Sequence, residues 1–93
     1  MNDKKLNNIR KKIDILDTKL LNLIKKRTNL VNKVIKTKIF KKQIVDKNRI
    51  KKVLLNIKKL SKKKKIDSLL TRKIWISIIK SYIDYEKRKF KKK

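Results

Sequence analysis

The sequence predicts an all-α chain of three helices, one long and two shorter. Apolar residues recur at steps of three and four along most of its 93 residues, rather than at every second position. It contains no glycine and no proline, so the tight turns that join strands are missing, and so is any glycine-rich phosphate loop. Lys, Asn, Ile and Leu dominate the composition, and no internal repeat is visible.

The first element is set by Leu6, Ile9, Ile13, Leu16, Leu20, Leu23, Leu30 and Val34, which follow alternating steps of three and four with one position skipped. This a/d stripe predicts one helix from about residue 5 to about residue 38. At 1.5 Å per residue it is about 50 Å long, whereas a compact chain of this length has a radius of gyration of about 12 Å. The helix overruns its own globule, and a second copy of the chain is the simplest cover for the overhang.

The segment IFKKQIVD, residues 39–46, breaks the stripe and reads as a connection. Asp46 is the candidate N-cap of a second helix over about 47–61, with Ile50, Val53, Leu54, Ile57 and Leu60 on one face. The run KKKK at 62–65 reads as a solvated turn. Asp67 is the next candidate N-cap, opening a third helix over about 68–88 with Leu70, Ile74, Trp75, Ile78, Ile79 and Tyr82 inward. The basic tail 87–93, KRKFKKK, is expected to fray. Residues 1–93 read as a single domain.

The net charge is +26. Such a charge suits polyanions, but Lys, Ile and Asn all have AT-rich codons and Ala is absent with Gly and Pro, so a coding bias accounts for the composition without nucleic acid. With no Cys and no His, the usual zinc sites, thiol or imidazole nucleophiles and disulfides are excluded. The N-terminus MNDKKLNNIRKK lacks the apolar stretch of a signal peptide, and no apolar run approaches a membrane span. A cytoplasmic protein that does not engage membranes is expected.

Against 28 lysines the chain has five arginines. Arg27 occupies the skipped position of the stripe, where a guanidinium is costly unless an anion meets it. Lys38 lies eleven residues on, rotated by about 20° and displaced by about 16 Å. Arg10, seventeen residues before Arg27, is turned by about 100° and flanks the stripe. One helix does not aim all three at one point, but two copies can. Arg49 lies early in the second helix, and Glu86, the only glutamate, continues the inward stripe of the third. Several cations and one carboxyl from three helices suit a small dianion, and a guanidinium fork grips a carboxylate in two places while keeping its charge. The structural alternatives are that Arg27 pairs with Asp17 or Asp84 or reaches out to water, and that Asp14 and Asp17 form helix ion pairs with nearby lysines.

LNNIRKKIDILDTKLLNLIKKRTNLVNKVIKTK, followed by VDKNR and IWISIIKSYIDYE, resembles the all-helical, type II (AroQ-class) chorismate mutases over nearly the whole chain. The most specific part is R-x-x-I-D-x-L-D-x-x-L-L-x-L-x-x-x-R-x-x-L with a lysine eleven residues later. The resemblance implies an intertwined homodimer with two active sites shared between the long first helices. It implies that Arg10 serves the other subunit's site and that Arg27 binds a substrate carboxylate. Lys38 and Glu86 are implied at the ether oxygen, and Asp46 and Arg49 as the pair opening the second helix. The substrate implied is chorismate, rearranged to prephenate on the way to phenylalanine and tyrosine, with no metal and no cofactor. Two positions depart from the family pattern: Ile50 stands where a glutamate is common, and Tyr82 where serine is common. They leave room for an isochorismate-pyruvate lyase on the same fold. A basic nucleic-acid-binding protein is the rival class; it lacks a helix-turn-helix signature and enough aromatic residues for base stacking. A coiled-coil module is the third, and leaves Arg27 unexplained.

Overall fold

The computed structural model describes residues 2–91. Its elements are α1 (Asp3–Thr37), a 3-10 turn (Lys41–Ile44), α2 (Lys47–Lys63) and α3 (Ser68–Lys89), and no strand occurs among the described residues. No described helix is long and apolar enough to cross a membrane. The chain divides within α1 into two compact units, Met1–Lys33 and Val34–Lys93.

Every described residue of the first unit after Asn2 is helical. Asn2 opens it: its side-chain oxygen accepts from Lys5 N at 3.2 Å and its carbonyl from Leu6 N at 3.1 Å. Asp3 in the first turn complements the helix dipole. The apolar stripe is mostly uncovered: Ile9, Ile13, Leu16, Leu20 and Leu23 are 47–58% exposed. Farther along, the shielded positions are not the expected Leu30 and Val34, which are 61% and 47% exposed. They are instead Arg27, Thr28, Val31 and Asn32, followed by Ile35 at the start of the second unit. Val31 and Ile35 repeat the spacing of Leu30 and Val34 one residue later, about 100° around the helix. α1 therefore carries two adjacent apolar faces, of which the heptad stripe marks one.

The second unit is built on the α2–α3 hairpin, with α3 also packing on the 3-10 turn. Both N-caps are aspartates. Asp46 Oδ1 accepts from Arg49 N at 3.0 Å, and Asp67 Oδ1 accepts from Leu70 N at 2.9 Å. α2 runs two residues into the lysine run before stopping. Its end is a Schellman motif: Ile66 N donates to Ser61 O at 2.9 Å and Lys65 N to Lys62 O at 3.2 Å. That motif needs a left-handed residue, and in a chain without glycine Lys65 takes it, at φ 58°.

The helices meet through hydroxyls. Ser61 and Thr71 are buried, with their side-chain oxygens 2.7 Å apart, and Ser61 Oγ also donates to Ile57 O at 2.6 Å. This close approach explains two of three departures from the expected inward faces, those of Leu60 and Leu70. Leu60, Leu70 and Ile74 are 40%, 55% and 44% exposed. Leu60 and Leu70 are the immediate neighbours of Ser61 and Thr71, so the small residues that face the partner helix turn them about 100° away. Ile50, Val53, Leu54, Ile57, Trp75, Ile78, Ile79 and Tyr82 are half-buried. Ile35 and Ile44 are the buried apolar residues. At the end of the chain, α3 continues through Lys87, Arg88 and Lys89 instead of fraying, and Phe90 N donates to Glu86 O at 2.8 Å. Lys92 and Lys93 of the tail lie outside the described residues.

Candidate active site

Lys38 stands directly after the last residue of α1, half-buried, with its backbone N–H bonded to Ile35 O at 3.0 Å. This i→i−3 bond tightens the helix end. Thr37 Oγ1 donates to Val34 O at 2.7 Å in the same turn. The next two backbone N–H groups, of Ile39 and Phe40, both donate to Gln43 Oε1, at 2.7 and 2.8 Å. Gln43 N returns a bond to Phe40 O at 3.0 Å, which closes the 3-10 turn.

Beyond the turn the chain is extended at Val45 and reaches Asp46. Lys38, Gln43, Val45, Asp46, Lys47 and Asn48 line a cavity of about 450 Å³. The connection between α1 and α2 thus brings Lys38 and Asp46 to one space. One Asp46 oxygen is committed to the α2 cap. Arg49, whose N–H makes that cap bond, is exposed and does not line the cavity.

Glu86 is half-buried in the last turns of α3, beyond Tyr82 and Tyr85, whose rings meet edge to face at 6.2 Å and 83°. It does not line the cavity either. Asp84, a conceivable partner for Arg27, pairs with Arg88 one turn on, at 3.4 Å. Of the two arginines in the first unit, Arg10 is exposed and Arg27 is half-buried, with Nη1 out of contact with solvent.

Among the described residues, no group of three or more acidic, His or Cys side chains could hold a metal ion. The cavity offers two cations, one carboxylate and amide groups. That set can bind an anion and donate hydrogen bonds to developing negative charge. Gln43 is not among the sequence-based candidates. A signal was there: it is the only glutamine, and it sits three residues after Phe40, the spacing at which a glutamine side chain reaches back to cap a helical turn.

A family model described as chorismate mutase type II matches residues 9–87. Arg10, Arg27, Lys38, Asp46, Arg49 and Glu86 all fall inside that span. No curated protein and no solved structure gives a match.

Proposed function

The chain belongs to the chorismate mutase type II family, and on that premise we propose that it catalyses the Claisen rearrangement of chorismate to prephenate, as a cytoplasmic homodimer serving phenylalanine and tyrosine synthesis. The observation that carries the reading is the family match over all three helices. The cavity that Lys38 shares with Asp46 supports it.

The reaction is unimolecular. A C–O bond to the ether oxygen breaks as a C–C bond forms, and the electron pairs shift around a six-membered ring. No nucleophile is needed, in keeping with a chain that has neither Cys nor His. Two contributions remain for the protein. It holds a flexible dianion in a compact, chair-like form, and it stabilises the negative charge that grows on the ether oxygen. Arg27, and Arg10 of the partner subunit, bind the two carboxylates through charge-assisted pairs. Lys38 donates to the ether oxygen as a cation. Glu86 donates there when protonated, since an ionised carboxylate only accepts. Asp46 and Arg49 complete the substrate contacts at the start of α2.

The purified chain, incubated with chorismate, should convert it to prephenate without added metal or cofactor. Ile50 and Tyr82 make isochorismate the second substrate to test. Pyruvate released from isochorismate, with chorismate untouched, would replace the mutase reading by a lyase on the same fold.

A further inference from the structure

We propose that Gln43 is the positioning residue for Lys38; the proposal rests on the reading that Lys38 acts on the substrate. Three successive backbone N–H groups set the course of the chain around Lys38. Its own bonds to Ile35 O on the helix side, and those of Ile39 and Phe40 both bond to one side-chain oxygen, Gln43 Oε1. Both groups facing that oxygen are donors, so the amide orientation of Gln43 is decided by chemistry: only the carbonyl end can meet them.

Gln43 is in turn well anchored. Ile44, next in sequence, is 5% exposed and fixes the 3-10 turn, on which α3 packs. The sequence of constraints runs from the buried Ile44, through the Gln43 side chain, to the two N–H groups that follow Lys38. A segment without glycine or proline has no intrinsic turn preference to hold it there. In place of backbone preference, a side chain from the far end of the turn sets the bend. Lys38 and Gln43 line the same cavity, so loosening that bend moves the ammonium within the site.

The test uses the full chain, with Gln43→Met to remove the acceptor at similar volume and Gln43→Glu to keep it. Gln43→Met should lower kcat about ten- to a hundredfold, the scale of a misplaced catalytic group, with KM changed by no more than about twofold. Gln43→Glu should lower kcat less than Gln43→Met does, while its added negative charge beside a dianion raises KM. Amide hydrogen exchange at Ile39 and Phe40 should accelerate in Gln43→Met and stay slow in Gln43→Glu. A wild-type kcat in Gln43→Met, or equal losses in both variants, overturns the proposal. If the wild type converts no chorismate, the reaction assigned above fails. Exchange then decides the role of Gln43 alone: unchanged protection of Ile39 and Phe40 in Gln43→Met overturns it, and selective loss sustains it.

Discussion

The first unit and the α2–α3 hairpin carry the same apolar periodicity and end in different states. In the hairpin, Ile50, Val53, Leu54 and Ile57 of α2 and Trp75, Ile78 and Ile79 of α3 are half-buried by their own chain. Between the helices two hydroxyls approach to 2.7 Å. In the first unit, Ile9 through Leu23 stay about half exposed. Periodicity specifies a helix and its apolar side, but the stability of such a helix comes mostly from whatever covers that side. The hairpin supplies its own cover. The first unit displays a stripe that calls for a second surface, which is the physical support for the proposed homodimer.

The largest expected effect breaks that difference directly. Leu20→Glu places a charge in the middle of the stripe. If a second copy covers Leu20, two unpaired carboxylates, one from each chain, are buried in the interface, at a cost of several kcal/mol. Sedimentation should show a wild-type dimer and a monomeric or unfolded variant. A variant that sediments as the wild type, with equal stability, would mean the stripe is left in water.

Next in size is the division of labour between the two subunits of the proposed dimer, tested with the two arginines of the first unit. Arg10→Ala and Arg27→Ala should each lose several kcal/mol of transition-state binding. Mixing the two, with subunits free to exchange, should restore about a quarter of the wild-type rate, because half of the dimers are mixed and each mixed dimer has one intact site. Absence of recovery, with mixed dimers shown to form, would place Arg10 in its own chain's site.

Smaller effects sharpen the hairpin side. Ser61→Ala should cost about 1–2 kcal/mol in urea unfolding, for the loss of a buried hydroxyl pair. The loss is moderated because Thr71 Oγ1 also lies 3.3 Å from Ser68 O and 3.4 Å from Asp67 O. Adding Thr71→Val should cost less than the two single changes summed, since the pair is then removed together. Smallest is Lys65→Gly, which should stabilise the protein by about 1 kcal/mol by relieving a side chain held at φ 58°. A midpoint unchanged or lowered by this substitution would show that the gain is cancelled by the added freedom of the unfolded chain.

What the sequence determined alone is what needs only neighbours along the chain. The three helices follow from apolar spacing. The caps at Asp46 and Asp67 follow from a side chain that reaches a backbone N–H three residues on, whatever else the chain does. The scarce arginines and the single glutamate stand out by composition. The tertiary structure decided the rest. Leu60 and Leu70 read as core, yet the close approach of Ser61 to Thr71 across ten residues turned both outward. Val31 and Ile35 were shielded in place of Leu30 and Val34, because α1 has two apolar faces and helical period alone does not choose between them. Around Lys38, the bend at Ile39 and Phe40 depends on a glutamine held by the turn beneath it. Local patterns record which residues share a face; which face is covered, and how a loop is held, depends on atoms that become neighbours only after the chain has folded.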